Sequence, residues 1–195
     1  MKLTLTPGEI SQQFCEKIAK EVLEDKYVCL HIQDDFRIEE NMKEKTTKMH
    51  CTVQATGSQD SATLVIEGLG EGPIDAFFKS IKKKLSSKYV SLETFKLREF
   101  EANTKPKKMS KKKFDFSTAV ETTFVVQNDR GEDLIFRSRA TSINRASVES
   151  VLKAIEYFVN IEKAVKLLSD VIKDAEERGR GDLVNSYTSK LAELV

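Results

Sequence analysis

Apolar residues recur with a helical period at the start of the chain and with a strand period directly after it. Thr6 and Glu9 form a capping box around Pro7, and the apolar positions that follow lie four residues apart: Ile10, Phe14, Ile18 and Val22. This pattern predicts a helix over residues 7–24. Residues 27–32 have the composition of a strand that continues to Ile38, and the charged stretch 39–48 is expected to be an exposed connection.

A strand, a glycine-rich turn and an amphipathic helix follow. Residues 49–55 and 62–67 have β-type composition and are separated by turn-forming residues at 56–60. Three glycines crowd positions 68–72, and Pro73 then opens a segment whose apolar residues have helical spacing: Ile74, Phe77, Phe78, Ile81 and Leu85. The order up to residue 85 is therefore helix, three strands and a second helix.

The same order of elements recurs in the second half. Residues 90–97 are predicted to form a strand running toward Ala102, a lysine-rich loop follows, and residues 120–126 and 134–138 alternate around a hairpin turn at 128–131. A helix is expected from near Ala146 to about Glu177, and its first apolar residues repeat the spacing of the earlier helix: Val148, Val151, Leu152, Ile155 and Val159. After the break at 179–181, Asp182 is expected to cap a last short helix.

This arrangement predicts an α+β fold built from a tandem β-β-β-α repeat with pseudo-twofold symmetry. Each three-stranded antiparallel sheet is covered by a helix, with an extra N-terminal helix and a C-terminal helical hairpin. The expected divisions are an N-terminal helix at 1–26, a repeat domain at 27–160 with units 27–87 and 88–160, and a helical extension at 161–195. The hairpin is expected to pack either on a partner subunit or on its own subunit.

Composition narrows the classes of function. The 195 residues include 32 basic and 31 acidic side chains, a net charge of +1, so the chain as a whole is not suited to coating nucleic acid or anionic lipid. It contains no apolar run of membrane-spanning length, and we expect a cytoplasmic protein. The three cysteines lack a CxxC spacing, which favours buried free thiols over disulfides or a zinc site. No metal site, cofactor or catalytic residue is predicted.

The glycine turn before Pro73 is the strongest candidate for binding chemistry. Glycines there would permit positive φ and the approach of a ligand to the bare N–H groups of the helix N-terminus. Such a site suits an α-carboxylate, while Glu71 or Asp75 suits an α-ammonium and apolar neighbours suit a branched side chain. Taken alone, these residues favour a structural turn whose glycines only satisfy backbone geometry.

The stretch Gly70-Glu71-Gly72-Pro73-Ile74-Asp75-Ala76 resembles the G-x-G-P-[VI]-D-A motif of the C-terminal regulatory domain of 2-isopropylmalate synthases and citramalate synthases. The second unit is similar to the family's second helix, which opens on Ala-Ser, as at Ala146, and runs to a terminal asparagine, as at Asn160. The resemblance covers residues 27–160 and implies a tandem β-β-β-α domain that dimerises.

The resemblance also implies that the dimer binds leucine or isoleucine between its halves and thereby inhibits a separate catalytic barrel. By position, the implied ligand-binding residues are Gly70, Glu71, Gly72, Ile74, Asp75, Phe95, Ile143 and Ala146. Ser138 and Ser142 depart from the family's glycine and aspartate in the second half. The chain lacks the barrel's Arg-Asp-Gly segment and paired histidines, so we expect no catalysis by itself and a possible partnership with a catalytic subunit.

A double-stranded RNA-binding module is the alternative interpretation. The order of elements in residues 7–85 fits that class, the basic run 105–113 offers a phosphate-binding loop, and Lys79, Lys82, Lys83 and Lys84 lie on the predicted second helix. In such modules, however, the helix usually carries its lysines at the N-terminus, where this chain has 72–75. A solvated loop is the favoured explanation of the basic run, because no aromatic residues lie among its lysines and the net charge of the chain is near zero. Nucleic-acid binding is therefore not the favoured prediction.

Overall fold

The computed structural model describes residues 6–57, 61–104 and 119–195. Within these residues the elements are α1 (Pro7–Leu23), β1 (Cys29–Ile32), β2 (Arg37–Asn41), β3 (Thr46–Thr56), β4 (Ala62–Gly70), α2 (Pro73–Ser86), α3 (Ser91–Thr94), β5 (Lys96–Thr104), β6 (Val120–Gln127), β7 (Asp133–Ala140), α4 (Ile143–Glu177) and α5 (Gly181–Leu194). None of the helices in these ranges is long and apolar enough to span a membrane. The predicted lysine-rich loop lies outside the described residues.

The first sheet is built around the long strand β3. β4 pairs with one edge of β3, while β1 and β2 pair in succession with its other edge, all antiparallel. Between β1 and β2, the Asp35 carboxylate accepts hydrogen bonds from the Thr52 N–H at 2.9 Å and the Thr52 hydroxyl at 2.6 Å. Asp35 thus takes the place of a main-chain acceptor where the edge strand is interrupted.

Two sequence predictions in this region are wrong. The strand expected from residue 27 to Ile38 is two strands, and the charged stretch 39–48 is not simply an exposed connection, because it contains the end of β2 and the start of β3. The alternation is weak there because β2 lies at the sheet edge, where only Ile38 is half-buried. The strands expected at 49–55 and 62–67 are confirmed with longer bounds.

The second sheet has the order β5-β6-β7, also antiparallel, with an irregularity in β5 between Leu97 and Glu99. The strand predicted to begin at Val90 is wrong, because residues 91–94 form the short helix α3 before β5 begins. The Glu162 carboxylate holds the start of α3 by accepting the N–H of Val90 at 3.2 Å and of Ser91 at 2.8 Å. The alternation of apolar residues at 90 and 92 therefore belongs to a helical turn.

The two halves repeat the same strand-to-helix transition. β4 ends at Gly70 and α2 begins at Pro73, while β7 ends at Ala140 and α4 begins at Ile143. The Ala76 N–H donates to the Gly72 carbonyl at 2.9 Å, and the Ala146 N–H donates to the Ser142 carbonyl at 3.0 Å. The predicted tandem β-β-β-α architecture is confirmed.

One hydrophobic core joins the two halves. Phe78 of α2 contacts Phe124 of β6 edge to face, with ring centroids 5.7 Å apart, and Phe95 stacks on Phe158 of α4 at 4.5 Å. Aromatic pairs at these distances add to the energy of apolar burial. The halves are therefore packed as one body around α2 and α4.

A second apolar cluster lies between α1, the later part of α4 and α5. It contains Ile18, Ala19, Leu23, Ala164, Leu168 and Leu194. The C-terminal hairpin thus packs on its own chain, which is one of the two predicted alternatives. Asp182 does not cap α5 as expected: the cap position is Arg180, whose guanidinium donates to the Asp182 carboxylate at 2.7 Å and 3.0 Å.

Candidate functional site

The glycine turn predicted as a binding element lies between β4 and α2. A Cβ at Gly70 would lie 2.6 Å from both the Ala76 nitrogen and the Asp75 Oδ2, whereas a Cβ at Gly72 would meet nothing within 4 Å. Gly72 has extended backbone, with φ −159° and ψ 170°. Neither glycine is among those with positive φ, so that expectation is wrong. Gly70 is required by close packing of strand and helix, and Gly72 faces open space.

The N-terminus of α2 offers main-chain donors. It has no side-chain cap, and Pro73 at its first position carries no N–H. Because the Ala76 N–H already bonds to the Gly72 carbonyl, the N–H groups of Ile74 and Asp75 are the ones that lack a partner within the helix. Two neighbouring amides at the positive end of a helix form a suitable position for a carboxylate.

The Asp75 carboxylate is the acidic group of this turn. Its Oδ2 accepts the Glu71 N–H at 3.2 Å and lies 2.8 Å from the Lys79 ammonium. This contact with Asp75 raises the pKa of Lys79. The turn therefore contains a carboxylate, its own lysine counter-ion and the unpartnered helix amides within a few residues.

The start of α4 has the same geometry with the opposite charge. Ser142 is its cap residue, it has no side-chain cap, and no acidic residue lies in its first turn. Arg145 occupies the position equivalent to Asp75, and its guanidinium lies 3.0 Å from Glu149 and 3.4 Å from Asp34. Sequence reasoning missed Arg145. The sequence did contain a signal for it: Asp75–Lys79 is an acid followed by a base four residues later, whereas Arg145–Glu149 is a base followed by an acid.

The predicted site residues have different environments. Gly70, Glu71, Gly72, Ile74 and Asp75 lie together at the first transition, and Ile143 and Ala146 lie in the first turn of α4. Ile143 is 48% exposed, whereas Ala146 and Phe95 are fully buried. The Ser138 hydroxyl is buried and donates to the Glu149 carboxylate at 2.8 Å.

The lysines of α2 are largely engaged within the chain. Lys79 pairs with Asp75, and Lys84 donates to the Val65 carbonyl at 2.9 Å. Lys82 donates to the Phe95 carbonyl at 3.1 Å and lies over the rings of Phe78 and Phe95, and burial lowers its pKa. These contacts leave α2 with fewer cations for a phosphate backbone than its sequence suggests.

Cysteine and histidine side chains do not form a metal site in the part of the chain that the structure describes. There, no group of three or more His, Cys, Asp or Glu side chains is placed to hold a metal ion. His50 lies between Asp35 at 3.7 Å and Glu67 at 3.5 Å on the first sheet. The three cysteines are free thiols; Cys51 is buried, which raises its pKa to about 12, whereas Cys15 and Cys29 are half-buried.

A cleft not expected from the sequence lies between α1, β7 and α4. Its volume is about 380 Å³, and Glu9, Arg137, Lys153 and Glu156 are among its lining residues. The Glu156 carboxylate accepts the Leu30 N–H at 3.1 Å, and burial raises its pKa. The Glu9 carboxylate contacts Arg137, and a backbone hydrogen bond from Thr6 lowers its pKa.

Sequence comparison identifies one family. The model of the LeuA allosteric (dimerisation) domain matches residues 9–159. The resemblance seen in the sequence begins at residue 27, whereas the family match begins at residue 9 and therefore includes most of α1. It ends within α4, so the rest of α4 and α5 lie beyond it. No curated protein sequence matches the chain.

Proposed function

We propose that this chain, which belongs to the LeuA allosteric (dimerisation) domain family, binds an end-product branched-chain amino acid, leucine or isoleucine, at the start of α2. The family is the regulatory part of 2-isopropylmalate synthases and their relatives, so the chain is a regulatory dimerisation domain. Beyond that role, we propose which ligand the domain binds and where it binds. The single observation that carries it is the uncapped N-terminus of α2 beside Gly72 and Asp75.

The ligand's α-carboxylate would bind the N–H groups of Ile74 and Asp75. These are the first donors of α2, because Pro73 has none, and they lie at the positive end of the helix dipole. Gly72 supports this position because the space around its Cα is open. A carboxylate approaching there meets no side chain at residue 72.

The α-ammonium would bind the Asp75 carboxylate, with Glu71 as an exposed second acid. Asp75 is at present paired with Lys79, so an ammonium would compete with that lysine. Ile74 and Ile143 would supply apolar contacts for a branched side chain. Gly70, Phe95 and Ala146 are the other positions implied by the family motif, and a ligand would reach Phe95 and Ala146 only where the chain around them opens, because both are fully buried. At the start of α4, Arg145 replaces the acid that Asp75 provides at the start of α2, so that position would not bind an ammonium group in the same way.

Regulation would follow from differential affinity. An amino acid that binds one arrangement of the two halves or two subunits more tightly shifts the population toward it, by no more than the difference in binding free energy. We propose that residues 27–160 form the regulatory unit, with halves 27–87 and 88–160, flanked by the N-terminal segment 1–26, which contains α1, and the extension at 161–195. A cytoplasmic catalytic subunit of the 2-isopropylmalate synthase type is the proposed recipient of the signal.

Calorimetry with leucine and isoleucine tests this site. We expect saturable binding of one of them to the native chain and at least about tenfold weaker binding to Gly72→Val, whose branched side chain would fill the space before the helix. Gly181→Val is the matched control, because Gly181 also has open space around it and starts a different helix, α5. Unchanged affinity in Gly72→Val, or no binding to the native chain, would refute the proposal.

A further inference from the structure

The second sheet presents an outer face on the side opposite the core. Along β6 the side chains alternate between buried positions such as Phe124 and half-buried positions such as Thr123 and Val125, and the latter define this face. The register carries the face onto both neighbours: Glu101 lies opposite Thr123, and Thr123 lies opposite Arg137. We call this surface the outer face of the second sheet.

Charges on this face change sign from one side of β6 to the other. In one row Glu101 of β5 and Arg137 of β7 flank Thr123. In another row Lys96 of β5 and Asp133 of β7 flank Gln127, so the signs are reversed. Lys96, Glu101 and Asp133 are exposed, and Arg137 also contacts Glu9 of α1.

This pattern is complementary to itself under a twofold rotation about an axis parallel to β6. Such a rotation lays a second sheet face to face on the first and exchanges its two outer strands, so that β5 of one copy lies over β7 of the other. Lys96 of each copy then faces Asp133 of the other, and Glu101 faces Arg137. At the centre, Thr123 and Val125 meet their own equivalents. Glu121, which lies on the same face of β6 and opposite Arg139 of β7, meets its own equivalent as well.

Strand addition is the other common way in which sheets associate, and it is disfavoured at three outer strands. The Gln12 amide bonds to both main-chain groups of Ile135 in β7, at 2.9 Å and 3.1 Å. Glu156 accepts the Leu30 N–H in β1, and Lys84 donates to the Val65 carbonyl in β4. Side chains that occupy edge groups in this way obstruct pairing with another strand.

The first sheet presents a different kind of outer face. There His50 lies between Asp35 and Glu67, and Lys48 lies directly opposite Glu39. Its charges are therefore balanced by neighbours within the chain. On the second sheet the outer strands carry opposite charges in two of the four rows, those of Gln127 and Thr123. Asp133 also lies 3.9 Å from Arg98 of β5, as Arg137 contacts Glu9 of α1.

We propose that two copies of this chain pair through the outer face of the second sheet, with β5 of each copy facing β7 of the other. The proposal rests on the dimeric role of the family and names the surface that carries it. The partner is a second copy, because the family domain dimerises and the two charged rows, Lys96 with Asp133 and Glu101 with Arg137, are complementary to themselves. Charge complementarity fixes the register of such a contact and suppresses wrong ones.

Sedimentation equilibrium of charge-reversal variants tests the surface. Lys96→Glu places an acid opposite Asp133 of the second copy, and Asp133→Lys places a base opposite Lys96. We expect each single change to raise the dimer dissociation constant by about tenfold or more, since each contact occurs twice per dimer. The combined variant restores opposite charges and should recover most of the affinity. Lys48→Glu, on the outer face of the first sheet, is the control and should leave the constant unchanged.

The possible outcomes distinguish a wrong interface from a chain that does not dimerise. A dimeric native chain whose dissociation constant is unaffected by the single reversals, or a combined variant weaker than both single ones, would overturn the proposed surface alone. A native chain that is monomeric at all concentrations would overturn both the surface and dimerisation. Thermal unfolding of each variant should match that of the native chain at equal oligomeric state, because the three exchanged side chains are exposed.

Discussion

Asn160 of α4 and Val28 are joined by two hydrogen bonds through one side-chain amide. The Val28 N–H donates to Asn160 Oδ1 at 2.8 Å, and Asn160 Nδ2 donates to the Val28 carbonyl at 2.8 Å. The amide thus pairs with the residue before β1 as a neighbouring strand would. The side-chain amide of Gln12 in α1 likewise makes two hydrogen bonds with β7, one to the Ile135 carbonyl and one from the Ile135 N–H. Each sheet therefore has one edge secured by a helix.

Replacing Asn160 with alanine should destabilise the fold strongly. Asn160 is 1% exposed, so the change leaves buried main-chain groups of Val28 without partners, and we expect a loss of about 2–4 kcal/mol in the free energy of unfolding. Urea unfolding measures it. Asn185→Ala, at an exposed position of α5, is the control and should cost less than about 0.5 kcal/mol. Equal effects of the two changes would contradict the role of Asn160.

The two glycines of the turn should respond differently to the smallest side chain. Gly70→Ala brings a Cβ within 2.6 Å of the Ala76 nitrogen and should force α2 away from β4, at a cost of about 1–3 kcal/mol. Gly72→Ala has open space and extended backbone, so we expect its stability to change by less than about 1 kcal/mol. Thermal unfolding compares them. The reverse ranking would show that the close approach of strand and helix is misassigned.

Two threonines in the central strands of the two sheets form another matched pair. The Thr52 hydroxyl donates to Asp35 at 2.6 Å, whereas the Thr122 hydroxyl is fully buried and has no hydrogen-bond partner within the described part of the chain. We expect Thr52→Val to cost about 1–2 kcal/mol and Thr122→Val to be neutral or stabilising. Chemical denaturation of both variants at one temperature measures these changes in the free energy of unfolding. A marked decrease for Thr122→Val would contradict the absence of a hydrogen-bond partner for its hydroxyl among the described residues.

Glu156 should make stability depend on pH. Burial raises its pKa in the folded state, so the folded chain holds a proton over a pH range in which the unfolded chain has lost it. Ionising Glu156 therefore lowers the free energy of unfolding as the pH rises from the ordinary glutamate pKa through the raised value. Glu156→Gln keeps an oxygen for the Leu30 N–H and removes the charge.

We expect Glu156→Gln to be more stable than the native chain at about pH 8 and to lose that advantage at about pH 4. Denaturant unfolding at the two pH values measures the difference. Glu44→Gln, in the exposed turn after β2, is the control and should change stability little at either pH. A Glu156→Gln variant that is less stable at the higher pH would show that the carboxylate is stabilising in its charged form.

Much of the architecture was predictable because its signals are local. The capping box at Thr6 and Glu9, the hairpin at 128–131 and the strand-turn-helix at 62–86 all depend on neighbouring residues. β2 and α3 were not predictable in this way. β2 is an edge strand held by pairing with β3, and α3 is held by Glu162, which lies far away in the sequence.

The candidate site was predictable only in its first half. The glycine motif identifies residues 70–75, but the opposite charges at Asp75 and Arg145 become comparable only once the two helix starts are aligned through the Gly72 and Ser142 carbonyls. Burial is likewise a tertiary property. Phe95 and Ala146 are matched to the ligand site by motif, yet both are fully buried in the folded chain, Phe95 as part of the core that joins the two halves.

Amide chemical shifts during a titration with leucine and then isoleucine test the central claim most directly. The account predicts that one of these amino acids shifts the main-chain amides of residues 71–76, with Ile74 and Asp75 shifting most because their N–H groups bind the carboxylate. Further shifts are expected at 143–146. Shifts confined to the cleft between α1, β7 and α4, or no shifts with either amino acid at millimolar concentration, would contradict it.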